Sequence, residues 1–316
     1  MSDKEKTTQA RGREDLYGTS TEEMYRGTLS FMRRKYSREL VDVDVAVTGI
    51  PFDTATSNRP GSRFGPRGIR AASTNLAWTR LDDWGFDAFE QLAVVDYGDC
   101  EFDHGMPQSI PEQIQKHAAG ILSQDVALLS LGGDHFVTYP LLKAHAEVHG
   151  PVSLIHFDAH SDTWEDTDDR IDHGTMFFRA VEDGIVLADR SIQIGLRTYN
   201  ENDCGFNILK APWVHEQGIK AVVEEVKRIV GGNECYLTFD IDCLDPSMAP
   251  GTGTPVIGGL TTHQAQQILR GLAGINLVGM DLVEVAPAYD VGEITSLAGA
   301  TLALEMLYLY ASRPSA

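Results

Sequence analysis

From about Asp42 onward, short apolar runs alternate with longer amphipathic stretches. The runs cover 43–52, 92–99, 126–133, 152–160, 192–197, 235–242 and 277–285, and β-branched residues are frequent in them. They are apolar nearly throughout, as strands covered on both faces are, so they predict a mainly parallel sheet sheltered by helices. Between them EQGIKAVVEEVKRIV (216–230) and THQAQQILRGLA (262–273) read as amphipathic helices. A last stretch, TSLAGATLALEMLYLYA (295–311), is apolar over most of its surface and is expected to be well buried. Strand and helix in alternation give βαβ units and an α/β fold. No linker, repeat or change of composition follows residue 40. The pattern therefore predicts a single domain over 26–316, preceded by a flexible, polar arm over 1–25.

Composition narrows the partners. The 316 residues suffice for a large core, and 46 acidic against 26 basic residues leave a formal charge of −20. Such a surface repels nucleic acid and is compatible with a small cationic substrate. Cys100, Cys204, Cys235 and Cys243 form no CxxC pair, a usage that suits a reducing cytosol. The first residues, MSDKEKTTQARGRED, lack an apolar signal core, and no apolar run approaches the roughly 18 residues of a membrane span. The expectation is a cytoplasmic protein with no membrane or nucleic-acid partner.

The unusual residues stand at the ends of the predicted strands, where α/β sheets place their sites. In HFDAHSD, residues 156–162, Asp158, His160 and Asp162 are two apart, so an extended chain would project all three to one side. TFDIDCLDP (238–246) repeats the device with Asp240 and Asp242, and SLGGDH presents Asp134 and His135 behind two glycines. Each motif alone is as well explained by a hydrated turn. Together they gather four carboxylates and two imidazoles. Neighbouring carboxylates repel unless a cation neutralises them. Six ligands are too few for two separate shells, so a pair of ions with shared carboxylates is the economical arrangement. The absence of thiolate favours manganese over structural zinc. Cys243 is assigned to the core.

GGDH (132–135), DAHSD (158–162) and TFDIDCLDP followed by APGTGTPVIGGLT (249–261) closely resemble the ureohydrolases, the family of arginase, agmatinase and their relatives. The resemblance runs from about Pro51 to Ala311 and takes in SNRPGSRFGPRGIR (57–70), HGTMF (173–177) and MDLVEVAPAYD (280–290). It implies a three-layer α/β/α arginase-like fold with an eight-stranded, mainly parallel sheet. It also implies two Mn2+ ions per chain. His135, Asp158, Asp162 and Asp240 would hold one ion, and Asp158, His160, Asp240 and Asp242 the other. As catalytic residues it implies Asp162 to orient the nucleophile, Glu284 to grip the guanidinium and His173 to move a proton to the leaving amine. It further implies a homo-oligomer, a trimer or a hexamer.

Within the family, STNLAW (73–78), GGDHFVTYPLL (132–142) and DHGTMFF (172–178) are most similar to bacterial agmatinases, which implies agmatine as substrate. The loop TWEDTDDRIDHG agrees with a cationic tail, because Glu165, Asp166, Asp168 and Asp169 would repel a carboxylate. The alternatives are hydrolysis of 4-guanidinobutyrate or another guanidino acid, a metal-dependent amide hydrolase on a related fold, or a metal-binding relative without activity. His156, inside an apolar run, is read as a hydrogen-bonded core residue.

Overall fold

The computed structural model describes residues 23–166 and 170–314. Most of the predicted arm, and with it Asp168 and Asp169, therefore lies outside the described residues.

Eight strands form one sheet: β1 (Val45–Ile50), β2 (Val94–Asp99), β3 (Ala127–Gly132), β4 (Ser153–Phe157), β5 (Ile192–Leu196), β6 (Asn207–Lys210), β7 (Cys235–Asp240) and β8 (Leu277–Val283). Their order is β2-β1-β3-β8-β7-β4-β5-β6, and every pairing is parallel. The apolar runs predicted seven of these strands. The eighth, β6, is a four-residue edge strand whose last residue, Lys210, is exposed, so it carries no apolar run to read.

Alternate residues of each strand serve opposite layers, as a pleated sheet requires. Val45, Val47, Leu129, Leu131, Ile155 and Phe157 enter one core, which is closed by helices α1 (Gly65–Ser73), α6 (Ala211–Val230), α7 (Thr262–Gly271) and α8 (Ile294–Ala311). Ala46, Leu128, Leu154 and Val283 enter the other, closed by α3 (Ile110–Leu122), α4 (Thr138–His149) and α5 (Met176–Glu182); a short α2 (Ala88–Gln91) lies against the first core. The result is the three-layer α/β/α sandwich that the apolar runs require.

Helix α8 is long and apolar enough to cross a bilayer, yet 78% of it is buried within the protein, so its all-round apolar surface serves as a core helix. Its Glu305 is fully buried and accepts hydrogen bonds from Arg270 of α7, Trp84 Nε1 and Gln266. Helix α7 begins with a capping box in which Thr261 and Gln264 satisfy each other's backbone N–H groups. These local signals fix how the outer helices sit, and the helices in turn hold the strand ends.

The strand ends meet where chain segments approach closely. A Cβ added to Gly133 would lie 1.7 Å from the carbonyl oxygen of Phe52, so only glycine lets the loop after β1 lie against the loop after β3. Gly133 also accepts the backbone N–H of Glu284 at 2.8 Å and so ties β8 to the same place. Gly133→Ala is expected to cost at least about 3 kcal/mol, since backbone atoms cannot yield as a flexible side chain would. Thermal melts of the purified variant check this; an unchanged midpoint would refute the close approach.

Candidate metal and catalytic centre

Four neighbouring strands, β3, β8, β7 and β4, deliver the site from their carboxyl ends. Strand β3 is followed by Asp134, whose carboxylate accepts from the N–H of Ala55 at 2.9 Å and of Phe136 at 3.2 Å. Asp134 is thus a structural clasp that starts the turn carrying His135. The His135 ring is buried edge-on between His156 and Phe177. Its Nε2 lies 2.9 Å from the Thr238 hydroxyl. Its Nδ1 lies 3.0 Å from Asp158 Oδ2, 3.0 Å from Asp162 Oδ2 and 3.3 Å from Asp240 Oδ2. None of the three oxygens is aligned for a hydrogen bond, so this buried nitrogen has no partner.

A second group adjoins the first. His160 Nδ1 lies 3.3 Å from Asp158 Oδ1 and 3.1 Å from Asp242 Oδ2. Asp158 belongs to both groups, one oxygen in each. Asp240 turns Oδ2 toward His135, while its Oδ1 accepts the N–H of Asp242 at 2.7 Å. All six residues expected as ligands therefore converge.

They converge by a different route from the extended chain expected of them. Strand β4 ends at Phe157, and Asp162 adopts a left-handed backbone with φ of 52°. Strand β7 ends at Asp240, whose carboxylate caps a tight 3-10 turn, Ile241–Cys243, that carries Asp242. Turns, not alternation, aim these side chains. Cys243 is buried in the core, with Sγ beside the Ile194 carbonyl.

His156 also brings a nitrogen into the first group. Gln193 Nε2 is held by the Ser161 carbonyl at 2.7 Å and donates to His156 Nδ1 at 3.0 Å. That leaves the ring hydrogen on Nε2, which donates to Asp158 Oδ2 at 2.8 Å. A nitrogen bearing hydrogen cannot ligate, so His156 orients Asp158. Arg197 was also missed by sequence reasoning. It donates to the carbonyls of Asp242 at 2.6 Å and Val256 at 2.8 Å, clamping the loop after β7 without neutralising any carboxylate.

Burial is the largest influence on Asp158, Asp162, Asp240, Asp242, His135 and His160. It pushes Asp240 well above the usual carboxylate range, with the charges of Asp242 and Asp158 adding to it. Asp162 and Asp242 are raised by burial and then by Asp158. For Asp158 burial acts in the same sense, but His156, His135 and His160 outweigh it and hold the group well below that range. Burial resists the charged form of His135 and of His160, yet the carboxylates raise both, His160 to about 12. A cluster that grips protons this way is short of positive charge, and the donor set fits divalent cations.

Glu284 follows β8 with φ of 63°, a second non-glycine residue in the left-handed region. Its Oε1 accepts from the His135 backbone N–H at 3.0 Å and lies 2.9 Å from His173 Nδ1. Its buried Oε2 has no partner. His173 Nε2 meets both the backbone N–H of Ser57, at 3.1 Å, and the Ser57 hydroxyl, at 2.8 Å. Burial opposes the imidazolium of His173, but the hydrogen bond and charge of Glu284 bring the group up to about 9.

A cleft of about 460 Å³, in the range for a small-molecule site, opens beside His160, Asp162, His173 and Asp240, and the buried Glu284 is not in its lining. His160, Asp162, His173, Asp240 and Thr254 line it together with the exposed Ser57, and the exposed Trp164, Glu165 and Arg170, with Asp172, form its outer part. Arg170 is paired with Asp172 at 2.7 Å. Of the acidic residues expected to face substrate, Glu165 lines the cleft. Asp166 instead accepts the Thr175 hydroxyl at 2.7 Å and closes the base of the loop. Ser57 and Thr254 carried no signal in the sequence beyond the runs that contain them.

The sequence model of the Arginase family matches residues 43–308. An agmatinase of Chromobacterium violaceum is 56% identical over 299 residues, which cover 94% of this chain and 93% of that protein. The crystal structure of a hypothetical agmatinase from Burkholderia thailandensis superposes with a TM-score of 0.93 at 56% identity, covering 95% of each chain. Proclavaminate amidino hydrolase from Streptomyces clavuligerus, 35% identical, superposes with a TM-score of 0.86 over 92% of this chain and 99% of that one.

His135, His160, Asp162, Asp240 and Asp242 all bind protons more readily than usual, and a metal ligand must give its proton up. Mn2+ added to metal-free protein is therefore expected to release protons and to bind more tightly as pH rises from roughly 6 to 8. Calorimetry in buffers of different ionisation enthalpy measures both effects. A pH-independent affinity without proton release would contradict this assignment.

Proposed function

Because this chain belongs to the Arginase family, we propose that it hydrolyses agmatine to putrescine and urea at a centre of two manganese ions. The family makes it a ureohydrolase, and a binuclear metal centre goes with that membership. The observation that carries the two-ion reading is Asp158, which presents one oxygen to each of two adjacent donor groups. His135, Asp158, Asp162 and Asp240 would hold one ion, and Asp158, His160 and Asp242 the other, with Asp240 beside the shared edge. When bound, two such ions supply an activated water nucleophile near neutral pH.

The remaining steps belong to side chains of the protein. The unpaired Oε2 of Glu284 is a buried acceptor suited to a planar, charged N–H donor such as a guanidinium. Its other oxygen is fixed by His135 N–H and His173, so the carboxylate meets substrate already oriented. Asp162, on the cleft wall, directs the nucleophile. With Nε2 accepting the Ser57 N–H, His173 carries its ring hydrogen on Nδ1 toward Glu284. The proton lost by the nucleophilic water would pass to this imidazole and from it to the departing amine. The cleft admits a small cationic guanidine. A cytoplasmic location and a homo-oligomeric state are part of the same proposal.

The choice of agmatine rests on the agmatinases among the relatives and on Glu165 in the outer cleft. A guanidino-acid substrate draws on Arg170 in the same rim, whose guanidinium could meet a carboxylate. All candidate substrates share the reacting group, so only the far end distinguishes them.

Glu284→Gln is expected to keep its metal content and lose about ten- to a hundredfold in kcat/KM, the loss of roughly 1.5–3 kcal/mol carried by a charge-assisted hydrogen bond. Normal turnover of the best substrate by that variant would remove Glu284 from the mechanism.

Urea release from agmatine, arginine and 4-guanidinobutyrate tests the substrate. Agmatine is expected to give the highest kcat/KM, and Glu165→Gln to narrow its lead without changing metal content. Preference for 4-guanidinobutyrate would turn the assignment toward Arg170 while leaving guanidine hydrolysis in place.

A further inference from the structure

Asp281 lies in the middle of β8, fully buried, with β3 on one side and β7 on the other. A carboxylate at the centre of a sheet is costly, and an apolar residue of similar size would serve packing better. Among the described residues no lysine or arginine pairs with it. It is satisfied by three hydroxyl groups instead. Thr238 donates to Oδ1 at 2.6 Å, while Tyr236 at 2.8 Å and Thr138 at 2.9 Å donate to Oδ2.

One of those donors connects Asp281 to the site. Thr238 sits opposite Asp281 in the register of β7 and β8, and its hydroxyl has a single hydrogen. That hydrogen is committed to Asp281, because a carboxylate can only accept. Toward His135 Nε2, 2.9 Å away, the Thr238 oxygen must then be the acceptor. The neighbouring Thr138 hydroxyl cannot reverse this, since its own hydrogen is also given to Asp281.

We propose that Asp281 is a positioning residue of the metal centre, acting through Thr238 to keep the His135 hydrogen on Nε2 and the Nδ1 lone pair aimed at Asp158, Asp162 and Asp240. A neutral His135 with its hydrogen on Nδ1 would present N–H, and no ligand atom, to a cation. Without the carboxylate, the Thr238 hydroxyl is free to turn and donate to Nε2, which favours that wrong form. Partners that orient a ligating histidine commonly change metal affinity by about 10- to 100-fold when removed.

The inference rests on the proposed two-ion centre, and the experiment separates the two. Mn2+ binding to Thr238→Val, Thr238→Ser and Asp281→Asn is measured by equilibrium dialysis with elemental analysis, beside thermal melts of the metal-free proteins. Thr238→Val is expected to weaken one of two ions by about 10- to 100-fold and leave the other near its wild-type affinity. Thr238→Ser, which keeps the hydroxyl, is expected to bind both ions as the wild type does. Asp281→Asn is expected to weaken the same ion as Thr238→Val, and it decides the matter by itself if the valine variant does not fold. Two ions bound at wild-type affinity by Thr238→Val or Asp281→Asn would overturn the relay alone. An equal loss in Thr238→Ser would also overturn it, by pointing to packing. Wild-type protein that takes up no Mn2+ would overturn the centre and the relay with it.

Discussion

Asp158, Asp162, Asp240 and Asp242 are at most 6% exposed, and they lie together at the ends of the adjacent strands β4 and β7. Water cannot screen their repulsion there, so the protein must hold them by other means. Backbone N–H groups do part of this. His160 donates to Asp158, Ala159 to Asp242 and Asp242 to Asp240. Imidazoles supply the rest. Arg197, the cation close to the same loop, spends its hydrogens on carbonyl groups and leaves the carboxylates unpaired by guanidinium. The centre is therefore suited to added positive charge, since among the described residues no lysine or arginine pairs with these four carboxylates.

Sheet topology brings this about. The chain lays down β1 to β3, crosses to β4, β5 and β6, and then inserts β7 and β8 between the two halves. Residues more than a hundred positions apart, such as His135 and Asp240, meet because the last two strands fill the middle of the sheet. That central place also gives β8 two tasks. Within the strand, Asp281 faces Thr238, and just past its end Glu284 turns over the centre. Asp162 and Glu284 both take left-handed backbone conformations that cost of order 1–3 kcal/mol each in ordinary residues. Several hydrogen bonds hold Glu284 in place, at its backbone N–H by Gly133 and at its side chain by His135 and His173.

Seven of the strands, the buried C-terminal helix and the set of six metal-ligand candidates could be read from the chain. Continuous apolar runs report burial on both faces, and acidic residues at the ends of such runs are costly enough to stand out. Other features left no such trace. Strand β6 is half-exposed at the sheet edge and needs no apolar pattern. The turns at Asp162 and Asp242 are set by contacts distant in sequence, so an argument from strand alternation brought these residues together by the wrong geometry. Gln193, Ser57, Thr238 and Arg197 are ordinary polar residues whose importance lies only in what they touch. Asp166 shows the opposite error. It reads as one charge among several in an acidic loop, yet its carboxylate is occupied by Thr175.

The two ends of the cleft are built to different standards, and that difference bears on specificity. At the inner end the candidate ligands are buried, apart from the partly exposed His160, and backbone N–H groups hold Asp158, Asp240 and Asp242. The outer end is carried by the segments 163–166 and 170–174, pinned at their base by the Trp164 N–H to the Gly174 carbonyl and by Thr175 to Asp166. There Trp164, Glu165 and Arg170 are exposed. Proclavaminate amidino hydrolase shares this fold at 35% identity, so the same scaffold serves an enzyme named for a different amidine. At the rim, Glu165 and the Arg170–Asp172 pair place charges of both signs where the tail of a small substrate would lie. Because the rim is held apart from the ligands, it can change in sequence without disturbing the charge balance on which the centre depends.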